Sequence, residues 1–229
     1  MLAPKEIASR LDDVRGRIDS AIRRAGREAG SVRLVLASKS QPREAIAAAY
    51  QAGARDFGEN YLKEAVLKQE ALRSLRDLRW HLIGHLQTNK AKLAATNFVL
   101  IHSLDSIRLA EALARATAAS RLAVLIEVNL AMEPTKSGLS AVEVARLIEC
   151  TRDMVDLRGL MTIPPPSEDA REARRYFAEL RTLRNRLAAS TGLALSELSM
   201  GMTDDYEIAI EEGATIVRVG RAVFGERAR

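Results

Sequence analysis

Short apolar runs rich in β-branched residues alternate along the chain with longer segments in which apolar positions recur every three or four residues. The runs predict strands at residues 32–37, 55–57, 80–83, 98–102, 122–129, 157–163, 195–199 and 215–219, the second and seventh being short. Helix ends are also readable. Pro42 suits the first turn of one helix and Gly53 its left-handed close. Asp105 and Ser106 open another, Ser140 opens a third with Glu143 as its capping-box partner, and Gly213 closes the last. Ahead of the first strand, Ile7, Leu11, Val14, Ile18 and Ile22 trace the apolar stripe of an N-terminal helix.

Strict alternation of strand and helix implies parallel strands with helices outside them. The near-continuous apolar stretch from Leu122 to Val128 fits a sheet buried on both faces. The expected fold is therefore α/β: a (β/α)₈ TIM barrel with an extra N-terminal helix, one domain over residues 1–229. A doubly wound open sheet is the alternative on pattern alone. No Pro- or Gly-rich linker interrupts the alternation.

Composition narrows this picture. Apolar residues make up 47% of the 229 and aromatics only 4%, so the core must be built from Ala, Leu, Val and Ile. No run reaches the ~18 apolar residues that would span a membrane. The N-terminal stripe lacks the single apolar block of a secretory signal, and Glu6, Asp12, Asp13 and Asp19 argue against a transit peptide. Cys150 is the one cysteine, which excludes an intramolecular disulfide and suits a reducing cytoplasm; it is expected to pack within its helix. The net charge of +5 raises nucleic acid as a partner. The richest basic run (Arg171, Arg174, Arg175, Arg181, Arg184, Arg186) is interspersed with Glu168, Asp169, Glu172 and Glu179 on an amphipathic segment. That is the pattern of a solvated helix face, so nucleic acid is not expected. His81, His85 and His102 lack metal-ligand spacing.

In a barrel of this kind, functional groups stand at the C-terminal ends of strands. Lys39 follows the first strand directly; a lysine there can be an ordinary exposed side chain, or an amine that desolvation prepares to attack an aldehyde. After the seventh strand, Ser199-Met-Gly-Met-Thr203 offers hydroxyls and unhindered backbone to a phosphate, or simply a cap to the next helix. Asp204 and Asp205 must then point away from any phosphate. After the eighth strand, Gly220 permits close approach of a ligand and Arg221 adds charge. Arg218 lies inside an apolar strand, so it must reach an acceptor in the barrel mouth or a salt bridge outside.

Further landmarks are Ala37-Ser-Lys39, Phe57-Gly-Glu-Asn-Tyr61, Trp80-His-Leu-Ile-Gly-His-Leu-Gln-Thr-Asn-Lys90, Glu127-Val-Asn129 with Thr135-Lys-Ser-Gly138, Gly159-Leu-Met-Thr-Ile-Pro164, Leu198-Ser-Met-Gly-Met-Thr203, and Val217-Arg-Val-Gly220 with Phe224-Gly225. With these motifs in this order, the chain resembles the YggS/PROSC family of pyridoxal phosphate homeostasis proteins. The resemblance implies a barrel like the N-terminal domain of alanine racemases, with pyridoxal 5′-phosphate as cofactor, held as a Schiff base on Lys39. It implies Arg218 against the pyridine nitrogen, Ser199, Gly201, Thr203 and Gly220 around the phosphate, and Asn60, His81 and Met161 near the ring. Thr203 replaces a more usual serine. Arg221 stands where a small or hydroxyl residue is common, and either grips the phosphate or points to solvent.

The implied function is cofactor homeostasis and delivery in the cytoplasm, without catalytic turnover. Recipients would be apo-forms of enzymes that use the cofactor, and a monomer is expected. The alternative is a weak amino-acid racemase. Against it, racemases of this fold need a second domain, for which the chain leaves no room after its eighth strand. Lys136, on the loop after the fifth strand, is a candidate for transient uptake of cofactor; the alternative is an exposed loop lysine.

Overall fold

Eight strands close into a barrel in which each pairs with its neighbours in chain order and β8 returns to β1. All of these pairings are parallel. The computed structural model describes residues 2–117, 121–133, 137–167 and 169–226. The chain enters through α1 (Pro4–Arg24) and then alternates: β1 (Arg33–Ala37), α2 (Arg43–Gln51), β2 (Asp56–Glu59), α3 (Leu62–Ala71), β3 (Arg79–Leu82), α4 (Ala91–Asn97), β4 (Leu100–Leu104), α5 (Ile107–Ala116), β5 (Ala123–Glu127), α6 (Ala141–Thr151), β6 (Asp156–Met161), α7 (Ala173–Thr191), β7 (Glu197–Ser199), α8 (Tyr206–Glu211), β8 (Ile216–Val219) and α9 (Arg221–Phe224). The eight expected strands are all present, and the closed topology excludes the open sheet.

The N-terminal helix is more than an addition. The helix after β8 is a single turn, too short to cover the strand below it. Instead α1 packs against α2, α8 and α9, filling the place an eighth outer helix would take. Its buried stripe (Ile7, Leu11, Val14, Ile18, Ala21, Ile22) faces the barrel. On its polar side, Arg17 and Arg24 reach Glu207 and Glu211 of α8. Arg174 and Arg181 on α7 pair with Glu211 and Glu212, so this part of the arginine-rich run is a solvated face that ties helices together.

Strand ends differ from expectation where the apolar pattern runs past the barrel rim. β5 stops at Glu127, and Val128, though buried, makes only an isolated bridge to Leu139. β6 stops at Met161, where the Thr162 hydroxyl turns aside to donate to the Val128 carbonyl. β2 instead extends through Gly58 to Glu59, a carboxylate that pattern reading does not assign to a buried strand. Among helix ends, the Ser140–Glu143 capping box forms and Ser106 caps α5. Gly53 and Gly213 follow their helices with φ of 84° and 98°. Pro42 stands one residue ahead of its helix, at the N-cap.

One packing expectation is corrected. Cys150 is exposed, because Val144, Leu147, Ile148 and Thr151 form the buried stripe of α6 and Cys150 falls off that face. Among the described residues, no helix is long and apolar enough to cross a membrane.

Inside the barrel the filling is divided. Val35, Leu100, Leu125, Met161 and Ile216 form an inner apolar cluster. The rest of the interior holds a chain of buried polar groups: Asp56, His81, His102, Ser199 and Arg218. Alternation along β8 shows how one strand serves both faces. Val217 and Val219 pack outward among the helices, while Ile216 and Arg218 point inward.

Candidate functional site

A cleft of about 180 Å³ opens at the C-terminal ends of β1 and β8, lined by Ala37, Lys39, Asn60, Ile83, Ile163, Thr203, Arg218 and Gly220 among others. Lys39 is half-buried on one wall. The backbone on either side of it is clamped. Lys68 donates to the Ser38 carbonyl at 2.7 Å and pairs with Glu59 and Glu64 at 2.8 and 2.6 Å. The Ser38 hydroxyl donates to Glu59 at 2.6 Å, and the Ser40 amide donates to Glu64 at 2.6 Å. Ser40 itself is held at φ 60°, a region that serine seldom adopts. Burial pushes the Glu59 carboxyl upward, while hydrogen bonds from Lys68 and Ser38 pull it back. The result is a lysine whose position is fixed from beneath by an ionic cluster that pattern reading misses, because its members come from two strand ends and a helix.

Arg218 supplies the floor. It is 4% exposed, and it donates to the Ser199 hydroxyl at 2.6 Å and to the Thr162 carbonyl at 3.0 Å. Burial lowers its pKa to about 10, with Asp205 and Glu127 opposing, so it keeps its charge at neutral pH. Of the two options open at the sequence level, it takes the barrel mouth.

Behind Arg218 a relay crosses the interior. The Ser199 hydroxyl is 2.8 Å from His102 Nδ1, His102 Nε2 is 3.0 Å from His81 Nδ1, and His81 Nε2 is 3.0 Å from Asp56. Arg79 grips Asp56 with two hydrogen bonds. Burial raises the Asp56 pKa, but hydrogen bonds from His81 and Arg79 outweigh it and hold the group at about 2, so it is an acceptor. Burial also lowers both histidines, which are neutral. Every proton then has one place. His81 carries its proton on Nε2, facing Asp56, so its Nδ1 must accept from His102 Nε2–H. His102 Nδ1 must in turn accept from the Ser199 hydroxyl, whose oxygen accepts from Arg218. Nitrogen-15 NMR at neutral pH is expected to find both rings as neutral Nε2–H tautomers, with His102 titrating well below an ordinary histidine because burial penalises its charged form. A His102 that titrates near its ordinary value would contradict the assignment.

The remaining expected residues divide by depth. Asn60, Thr203, Gly220 and Arg221 line the cleft with Lys39 and Arg218. Ser199, His81 and Met161 do not line it; the first two belong to the relay beneath Arg218 and Met161 to the inner apolar cluster. Gly201 is buried behind the cleft with φ 91°, where a β-carbon would meet Ala209 at 2.5 Å. That glycine lets the β7–α8 turn press against α8. Asp205 accepts from the Met202 amide and Asp204 pairs with Arg221, so both acids are engaged at the rim. The Arg221 guanidinium is therefore an exposed rim group. Gln41 lines the cleft although nothing in its type or spacing marks it, and Met202 and Gly225, which fall inside the landmark motifs without an assigned role, line it too. Lys136 lies outside the described residues.

A closed parallel barrel with a clamped lysine at the end of β1, facing a buried arginine from β8, defines the class. The chain matches the family described as alanine racemase, N-terminal domain, over residues 11–228. An alanine racemase from Bartonella henselae shares the fold, with a TM-score of 0.73 at 16% identity, over 99% of this chain and 60% of that one. The chain belongs to the family of pyridoxal phosphate homeostasis proteins. It is 46% identical to the member from Aquifex aeolicus over 95% of this chain and 97% of the relative, and 42% identical to that from Pseudomonas aeruginosa over 96% of each. PipY of Synechococcus elongatus, solved with pyridoxal phosphate bound, is 39% identical with a TM-score of 0.85, over 96% of this chain and all of the other.

Proposed function

We propose that this protein holds pyridoxal 5′-phosphate on Lys39 and keeps it available to enzymes that need it, without turning over a substrate of its own. The observation that carries this reading is the cleft between Lys39 and Arg218, which has an amine on one wall and a fixed cation on its floor. The residues fit the group in three further respects. Asn60 Oδ1 is buried and unpaired among the described residues. Thr203 brings a hydroxyl to the cleft. Gly220 lines the cleft with bare backbone, and because a β-carbon there would fall 2.9 Å from the Ala37 carbonyl, only glycine lets the ends of β1 and β8 pack this closely.

When bound, the cofactor supplies a reactive aldehyde and an electron-withdrawing ring. The Lys39 amine would hold it through the aldehyde carbon. Arg218, which keeps its charge and its protons at neutral pH, would leave a pyridine nitrogen set against it unprotonated and so would weaken the ring as an electron sink. Thr203, Gly220 and the first amides of α9, which have no acceptor within that turn, would hold the phosphate. A weak sink and a firm grip suit storage better than amino-acid chemistry, and the relatives carry the name of homeostasis proteins.

The test is to load the protein, remove free cofactor and mix it with an apo-enzyme in the presence of a scavenging amine. Cofactor presented on the protein is expected to restore more activity than the same amount added free. Supplied alanine is expected to exchange its α-hydrogen with solvent deuterium at the background rate. Equal restoration by free cofactor, or rapid exchange, would overturn the reading.

A further inference from the structure

Beside the cleft lies a second chamber of about 230 Å³, which shares Asn60, Ile83 and Ile163 with it and adds Gly84, His85, Glu127, Val128, Asn129 and Ser137. Its notable member is Glu127. The strand alternation that sends Leu125 into the inner cluster sends Glu127 inward two residues later, at the barrel mouth. Its side chain is 9% exposed, and among the described residues it makes no hydrogen bond or ion pair. A buried carboxyl in that state must either take a proton or find a cation. The charges around it do not supply one by contact. Asp105 repels it, and His85 is already paired with Asp105 at 3.0 Å. Arg218 acts only from the adjoining cleft, with its Ser199 and Thr162 bonds made.

A second acceptor in the same place is also unfilled. Asn60 Oδ1 is buried without a hydrogen-bond donor, and Asn60 borders both spaces. Its backbone is pinned by Gly84, where a β-carbon would fall 2.5 Å from the Asn60 carbonyl. Two unfilled acceptors, one of them a carboxyl, with Ile83, Val128 and Ile163 as apolar walls, describe a receptor for a cationic donor on an alkyl stem. We propose that this chamber binds a primary alkylammonium group, such as the end of a lysine side chain, next to the Lys39 cleft.

An α-amino acid fits less well. Its carboxylate lies close to its nitrogen and would face Glu127 and Asp105 with no free cation in the described lining. The inference deepens the proposed function and rests on it for its purpose: a cofactor held by one amine is approached by another. As a statement about binding it stands on the chamber alone. The burial and the Asp105 charge that hold Glu127 at a pKa of about 7 also make the site responsive, since a bound ammonium favours the ionised carboxylate.

The test uses cofactor-free protein at neutral pH, with carbon-13 NMR of the Glu127 carboxyl, assigned by its loss in Glu127→Gln. Propylamine hydrochloride and Nα-acetyl-lysine amide are each expected to move the signal saturably toward the ionised position. Glycine and potassium chloride at equal ionic strength are expected to leave it in place. Saturation-transfer signals from propylamine are expected to weaken roughly tenfold or more in Glu127→Gln. No saturable shift with either alkylamine, an equal shift with potassium or glycine, or unchanged propylamine binding in Glu127→Gln would each overturn the proposal. Because the readout requires no cofactor, its failure would leave the Lys39 reading standing, and loss of that reading would leave this binding measurable.

Discussion

Arg218→Ala is expected to lower the stability of the cofactor-free barrel by about 2–6 kcal/mol and to abolish tight cofactor binding. The stability loss has two named sources. The Ser199 hydroxyl loses its donor at 2.6 Å and the Thr162 carbonyl loses its donor at 3.0 Å, both in the barrel interior. Each unpaired group costs about 1–3 kcal/mol. Lysine at this position keeps the charge but not the fork, and can serve one acceptor at a time, so Arg218→Lys is expected to recover part of the stability and little of the binding. Denaturant midpoints for the three proteins, read alongside cofactor titrations, check this. An alanine variant as stable as the parent would mean that the relay does not depend on its terminal cation.

The second large effect is a dependence on pH that Glu127 imposes. Its pKa in the fold is raised to about 7 from an ordinary 4.5, by burial first and by Asp105 second. A carboxyl raised in this way contributes most to stability when protonated. The contribution is complete below about pH 4.5 and disappears as the pH climbs through about 7. The whole difference is at most ~3 kcal/mol. Glu127→Gln removes the titration, so the stability gap between variant and parent is expected to widen in the variant's favour from about pH 5 to about pH 8. Two curves that run parallel across that window would show that the carboxyl is not desolvated in the way its burial indicates. Saturating alkylammonium is expected to flatten the parent's curve, which links this measurement to the chamber.

Much of the architecture is legible in the sequence because barrel strands are buried on both sides and read as apolar runs. All eight strands of the barrel are visible that way, including 55–57, where only Phe57 carries a strong signal. The exact rims are not, since Val128 and Ile163 are apolar for reasons of loop packing rather than sheet pairing. The role of α1 is also hidden. Its stripe announces a helix, but that it stands in for the missing helix of β8 depends on α9 being a single turn.

At the site, chain position identifies Lys39 and Arg218, because each directly precedes the end of an apolar strand or follows it. What supports them is invisible locally. His81 and His102 are 21 residues apart, and Ser199 lies 97 residues beyond His102; closure of the barrel alone brings them into line. Their spacing carries no metal-ligand pattern, so nothing local in the sequence marks the relay. The motif resemblance implies Ser199 and His81 as cofactor contacts, and their hydrogen bonds put both in the relay that ends on Arg218. Glu127 escapes for a different reason: a glutamate at a strand end is unremarkable until its burial and the lack of a partner are known.

The most direct measurement is the visible absorbance of the protein titrated with pyridoxal 5′-phosphate, parent and Lys39→Ala side by side, followed by borohydride reduction and peptide mapping. Expected are a saturable band in the parent, its absence in the variant, and a single reduced adduct on Lys39. A band that survives in Lys39→Ala, or an adduct on another lysine, would contradict the assignment of this cleft as the place where the cofactor is held.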